Sequence, residues 1–314
     1  ILKRAQEDVA RLYGVPESFY SINGSSGAIL AAVSAAVDKG GQILVARNCH
    51  KAVYHAIELH HLKPYYIYPP INTKYGINEG IYPQDVEKMW ITHQNIQAIV
   101  ISSPTYDGVV SDIQSICEIA HKHHVPVIVD EAHGAHMILS DEFPTSAYKL
   151  GADIVIESAH KTLPAMTQTA FLHVQGDKVS VKDVQRMLSV YQSSSPSYVL
   201  MSSLDKCIRE LPTKGQKDVN EMLITLKKFH NRVKNFKVLK VLDRSIIGKN
   251  SVYDFDISKI VIFLNMKLRS IEKDNVELNI TKLNNTVSSN TVLSDTVLNN
   301  TVLSNTVSDK AEIN

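Results

Sequence analysis

The strongest constraint on this chain is an alternation. Between residues 18 and 174, short apolar runs rich in β-branched residues take turns with stretches of helical periodicity. The runs predict strands at 19–22, 43–46, 65–68, 98–102, 125–130, 153–157 and 170–174. Helical patterns fill most gaps, at 27–37, 50–61, 85–90 and 113–123; in the last, Ile113, Ile116, Cys117 and Ala120 fall at helical spacing. Strands alternating with helices imply an α/β fold, here a mostly parallel seven-stranded sheet with helices on both faces. The nearly unbroken apolar run VPVIVD suits a strand buried on both sides. In such open sheets, ligands bind at the carboxyl ends of the strands.

Beyond residue 180 the rhythm changes. The chain reads as helical to about residue 236, with SSSPS at 193–197 as a break. It turns β-like at 236–242 (FKVLKVL) and again at 257–263, the expected start of a smaller, incomplete α+β domain. From Asn285 the chain runs in pentads, with Thr-Val recurring at 286, 291, 296, 301 and 306. Five pentads would close little more than one coil of a β-solenoid, with no neighbour to stack on. The expectation is a low-complexity tail. The division expected is therefore 1–210 as the major domain, 211–265 as the start of a small domain, and 266–314 as an aberrant tail.

Composition narrows the function. The 33 basic and 32 acidic residues leave a formal net charge of +1, which calls for neither nucleic acid nor an anionic membrane. Cys49, Cys117 and Cys207 are too few and too scattered for a disulfide framework or a zinc site, so a reducing, cytoplasmic setting is expected. No apolar run approaches the roughly 18–20 residues of a membrane span. The chain opens inside a helical pattern, LKRAQEDVARLY closed by Gly14, without a starting Met or a signal peptide; a fragment missing its N-terminus is expected.

Three stretches carry chemistry. The first, VIVDEAHGAH at 127–136, admits three readings: an ATPase DEAH motif, a histidine metal site, or a strand-end carboxylate that grips a pyridine ring. The ATPase reading needs a phosphate loop with a lysine, and INGSSGA at 22–28 has none. The metal reading finds no third ligand beside His133 and His136 except Asp130 or Glu131. The second stretch is NGSSGA itself. After a strand and opening a helix, Gly24, Ser25 and Ser26 would seat one phosphate monoester; an N-cap in a tight turn is the plain alternative. The third is IESAHKTLPA, where Lys161 follows a buried strand. Desolvated there, its amine would suit Schiff-base chemistry; otherwise it is an exposed loop lysine. Together, a phosphate seat, the strand-end Asp130 and the strand-end Lys161 are the three anchors that pyridoxal 5′-phosphate requires.

These motifs, with ARNCHKAVYHA, ISSPTYDGVVSDI and ADIVIESAHKTLPAMTQTAFLH, are similar to those of the bacterial Orn/Lys/Arg decarboxylases. That family has the aminotransferase-like PLP fold type I, and the shorter Gram-positive arginine or lysine decarboxylases look nearest. The resemblance runs from about residue 1 to about residue 260. It implies that Lys161 carries the Schiff base, Asp130 bonds the pyridine nitrogen, and His50 stacks on the ring. It further implies that Ser25 and Ser26 hold the phosphate with help from Ser158 and His160, and that Ala132 packs on the other ring face. Ser193 or Ser194 would reach the phosphate of a partner subunit in a homodimer or higher oligomer with shared sites. The implied reaction is decarboxylation of arginine, lysine or ornithine to a polyamine-type amine. Two alternatives stand beside it: a degenerate remnant that binds the cofactor or only dimerises, and another fold-type I enzyme such as an aminotransferase. The resemblance fades near residue 260, where FLNMKLRSIEKDN leads into the pentads, as a frameshift or a truncated gene would explain.

Overall fold

The structure is a computed structural model that describes residues 2–264, which fall in one compact unit, residues 1–265. The expected tail lies outside the described residues. Seven strands form the main sheet: β1 (Glu17–Ser21), β2 (Gln42–Ala46), β3 (Lys63–Ile67), β4 (Ile96–Ser102), β5 (Val127–Asp130), β6 (Ile154–Glu157) and β7 (Ala170–Val174). Their order across the sheet is β1-β7-β6-β5-β4-β2-β3. β3, β2, β4, β5 and β6 pair in parallel; β7 pairs antiparallel with both β6 and β1. The mostly parallel, seven-stranded expectation is met, with β7 as the reversed strand.

Burial explains why these segments are strands. All four residues of β5 and of β6, and all five of β7, are buried. Ile128, Ile154, Ile156 and Phe171 are among the largest fully buried side chains. Each such side chain contributes about 1.5–3 kcal/mol by leaving water. The expected strand at 125–130 begins only at Val127, because Pro126 has no amide hydrogen to give the ladder; its carbonyl still accepts from Ile99 N.

The helices between the strands are α1 (Leu2–Tyr13), α2 (Gly24–Ala36), α3 (Lys51–Leu59), α4 (Pro83–Thr92), α5 (Ile113–Lys122), the single turn α6 (Ala159–Thr162) and α7 (Val181–Tyr191). α2 is built from small residues, and its Gly27, Ala28, Ala31 and Ala32 are buried in the core. A β-carbon on Gly27 would stand 2.9 Å from Asn23 Cβ, so this turn of the helix has no room for a side chain. After the break at 192–197, α8 (Tyr198–Glu210) and α9 (Gln216–Val233) follow, joined by a wide π turn at Leu211–Gly215. Leu211, Val219, Leu223 and Leu226 belong to the same hydrophobic cluster as the sheet.

The final described segment is less regular than its sequence suggests. Of the β-like run at 257–263, only Ile262–Leu264 is a strand, paired with Leu239–Val241; Asp254–Phe255 pairs instead with Val109–Val110. Asp256 accounts for the difference. Its carboxylate accepts from Ser258 N at 2.9 Å and turns the chain before it can extend. A second hydrophobic cluster joins Ile77 and Val109 to Leu242, Ile246, Val252 and Phe255.

Candidate active site

Six strands, β1 to β6, point their carboxyl ends to the same edge of the sheet. A cavity of about 260 Å³ opens there, lined by Ser25 after β1, Asn48 and His50 after β2, and Ser102 at the end of β4. Pro104 to Asp107 follow β4, Asp130 ends β5 with Ala132 and His133 just beyond it, Lys161 follows β6, and Asn78 closes the set. A larger groove of about 950 Å³, between α4, α5 and residues 248–253, contains none of these side chains and carries no comparable chemistry.

Asp130 sits at the cavity floor, 6% exposed, and its Oδ1 accepts from Ala132 N at 3.2 Å. Burial pushes its carboxyl up to about 6, against the pull of Lys161, the Ala132 amide and Ser102. Among the described residues no ion pair within 4.0 Å neutralises it, so it offers a desolvated acceptor to a cationic N–H. Register places it beside β6, paired with Ile156, and β6 leads directly into the α6 turn that carries Lys161.

Lys161 reaches the cavity mouth and keeps contact with solvent, yet the walls desolvate its ammonium enough to lower its pKa. Asp130 opposes that shift and Lys259 adds to it. Its Nζ lies 3.1 Å from His133 Nε2. His50 is the N-cap of α3, its Nδ1 accepting from Ala52 N at 3.2 Å. The same side chain lines the cavity. Burial, then the charges of Lys161, Lys51 and His55, lower its pKa and favour the neutral ring.

Ser25 and Gly24 open α2, where the Asn23 side chain makes no cap bond and instead donates to Tyr191 O at 2.7 Å. Gly24 takes φ +70°, a left-handed conformation that glycine adopts without strain, and its amide donates to Gln168 O at 2.9 Å. Thus the structure brings Ser25, His50, Asp130, Ala132 and Lys161 onto one cavity, with Gly24 at its rim. It does not bring the others there. Ser26 is exposed, and His160 Nδ1 donates to Thr169 O at 2.9 Å. Ser158 is fully buried beneath the α6 turn, and Ser194 lies on the exposed 192–197 loop of the same chain. The sequence reading assigned no role to Asn48, Asn78, Ser102, Tyr106 or Asp107. Asn48 lies two residues before His50 in ARNCHK, and Tyr106 and Asp107 lie in the quoted SPTYDG, so the signal was present without a chemistry to attach. From the sequence, His133 is a metal-ligand candidate without a clear third partner.

A carboxylate on one strand end, a lysine on the next and a glycine-opened helix facing both define a fold-type I, pyridoxal-phosphate-type enzyme scaffold. Lysine decarboxylase A from Pseudomonas aeruginosa shares the fold with a TM-score of 0.69 at 22% identity, covering 83% of this chain and 41% of that one. An L-threonine transaldolase from Pseudomonas fluorescens also shares it, with a TM-score of 0.64 at 16% identity over 79% of this chain and 55% of that one. The chain belongs to the Orn/Lys/Arg decarboxylase family, whose major-domain model matches residues 1–305. An arginine decarboxylase of Bacillus anthracis is 35% identical over 262 residues, 83% of this chain and 53% of that protein. The chain thus spans about half the length of that curated relative.

The residues of the cavity fit the cofactor that this family implies. The Asn48 Oδ1 on the cavity wall and the Ser158 and Thr162 hydroxyls under the α6 turn are buried and lack protein partners. Buried polar atoms left unpaired are costly, and a polar ligand would satisfy those that face it. Asp130 lacks only a cationic donor. Among the described residues no group of three or more His, Cys, Asp or Glu side chains is placed to hold a metal ion.

Proposed function

We propose that this chain performs pyridoxal-phosphate-dependent decarboxylation of a basic amino acid, arginine, lysine or ornithine, to a polyamine-type amine. The observation that carries the reading is the cavity shared by Asp130 and Lys161, flanked by Ser25 and His50. The family and the named arginine decarboxylase relative support the substrate class.

Each residue then has a task. Lys161 presents an ε-amine whose lowered pKa raises the nucleophilic fraction. Asp130 holds a proton at the ring nitrogen, because a buried carboxylate favours a cation beside it. His50 and Ala132 would flank the cofactor ring, His50 with a neutral imidazole and Ala132 with a side chain small enough to leave it room. Ser25 and the α2 amides after Gly24, whose own amide is taken by Gln168 O, would receive the phosphate. The cofactor, when bound, supplies an electron sink for the charge left as the Cα–carboxylate bond breaks. The reaction consumes one proton, and among the described residues Asp107 is the one cavity carboxyl besides Asp130, its pKa raised by burial against the pull of Lys259.

The same reading makes the protein a cytoplasmic homodimer or larger assembly in which Ser194 serves the partner's site. It also treats residues 211–265 as the start of a smaller domain. Among the described residues no helix is long and apolar enough to cross a membrane.

The experiment has two arms. Purified protein with pyridoxal 5′-phosphate should gain a visible absorbance band that borohydride abolishes and Lys161→Ala lacks. It should then release labelled CO₂ from carboxyl-labelled arginine, lysine or ornithine. A band without CO₂ would mark a passive binder, transfer of the amino group an aminotransferase, and no band at saturating cofactor would sink the proposal.

A further inference from the structure

The contact between Lys161 and His133 has no part in the assignments above. We propose that His133 is a further active-site residue, the acceptor that holds and aims the ε-amine of Lys161. The proposal rests on the Lys161 reading for its catalytic meaning, though the contact itself is testable without cofactor.

The geometry starts from the turn after β5. Asp130 Oδ1 accepts from Ala132 N, and Gly134 N donates to Glu131 O at 2.8 Å, so the chain reverses within DEAHG. Gly134 has no space for a side chain: a β-carbon there would stand 2.5 Å from Glu131 Cγ and 2.6 Å from Met137 Sδ. Ala132 and His133, on the open side of this reversal, both line the cavity. The Tyr106 ring packs edge-on against the His133 ring, with centroids 5.4 Å apart at 85°. Held in that orientation, His133 Nε2 lies 3.1 Å from Lys161 Nζ.

The direction of the hydrogen bond follows from the groups. An ammonium has only donors, so Nε2 accepts and the ring proton sits on Nδ1. Burial, followed by the charges of Lys161 and Lys259, drives the imidazole pKa down to about 3, with Asp256 opposing. A ring that holds protons so poorly cannot strip one from an ammonium. His133 therefore acts by accepting a hydrogen bond, which both favours the ammonium and fixes where Nζ points. Asp130 pulls the same ammonium from the cavity floor, while Lys259 repels it. Without His133, Nζ would lose the one hydrogen-bond partner it has among the described residues and be free to swing among Asp130, solvent and the cavity mouth.

The test reads Lys161 itself. In the cofactor-free full chain, lysine side-chain NMR followed across pH gives the Lys161 pKa, the signal being assigned by its loss in Lys161→Arg. His133→Phe keeps a flat ring and removes the acceptor. It should lower the Lys161 pKa by about one unit, a tenfold change in the amine-to-ammonium ratio. His133→Gln, which returns an acceptor oxygen, should restore at least half of that shift. A rise, or no change, in His133→Phe with an unaltered circular dichroism spectrum would overturn the proposal, as would equal shifts in the two variants. Because no cofactor enters this measurement, a negative result here leaves the Lys161 chemistry standing. A failure of cofactor binding would leave the His133 contact standing.

Discussion

Glu131 and Glu157 are neighbouring buried carboxyls, 1% and 0% exposed, and Glu157 draws on the Tyr13 hydroxyl and on a protonated Glu131 as hydrogen-bond donors. Glu131 is itself held by Ser146 Oγ and by Ala147 N at 2.7 Å. His173 Nε2 stands 3.6 Å from Glu157 Oε2, but complete burial lowers the pKa of this imidazole to about 3 and keeps it neutral. Two buried carboxyls with no cation between them cannot both ionise. Burial, then the neighbouring carboxyl, raises the pKa of Glu131, and burial raises that of Glu157.

That pair predicts a pH dependence of stability. A carboxyl with a raised native pKa keeps a proton that the unfolded chain has already released. Its contribution is therefore complete below the ordinary carboxylate range and is lost as pH rises toward the native value. Denaturant melts between about pH 5 and about pH 8 should show the wild-type chain losing stability relative to Glu157→Gln. Parallel curves for the two proteins would rule out a shared proton.

Asp130 predicts a functional pH dependence of the opposite sense. Its carboxyl, raised to about 6 in the free chain, must ionise to hold a cationic ring nitrogen. Cofactor affinity should fall as the medium is acidified below that value, and Asp130→Asn should abolish this limb of the profile. Losing one preorganised electrostatic group typically costs about 10²–10³ in kcat, and the same is expected here with the cofactor still bound. Decarboxylation by Asp130→Asn within tenfold of wild type would remove Asp130 from the role.

Asp256 ties the last described segment to the site. Fully buried, it lies 3.3 Å from His136 Nε2 and accepts from Ser258 N. Burial alone would raise its pKa; the His136 and Ser258 hydrogen bonds outweigh that and lower it. Asp256→Ala should cost about 1–3 kcal/mol, the usual penalty for stranding a buried polar partner. It should also speed amide exchange in 254–264 relative to β5. Uniform exchange rates would show that this link does not hold the segment.

Much of this was legible because each motif sits at a strand end. Asp130, Lys161 and His50 each follow a buried apolar run, and the open-sheet rule alone gathers such positions on one edge. What was hidden depends on neighbours distant in sequence. The Glu131–Glu157 pair joins adjacent strands, and neither glutamate announces its partner. His133 was underestimated because a histidine pair beside a strand end reads more readily as hydrogen-bonded support than as a ligand; only its distance to Lys161 distinguishes it. The strand at 257–263 failed because Asp256 turns the chain, a preference that the apolar run conceals.

Gly134 offers the most direct test of the DEAHGAH turn. Its φ is not among the left-handed values, so backbone strain is not why glycine stands there. The reason is space, since a β-carbon would meet Glu131 Cγ at 2.5 Å and Met137 Sδ at 2.6 Å. Glu131 cannot move aside without loosening its bonds to Ser146 and Ala147. Gly134→Ala should therefore destabilise by about 1–3 kcal/mol, as overpacking does in closed sites. Met137→Ala in the same chain should recover part of that loss, because it removes one of the two obstructing atoms and leaves the other. Gly134→Ala melting with the wild type would show that the turn has slack, and would weaken the case that it fixes His133 against Lys161.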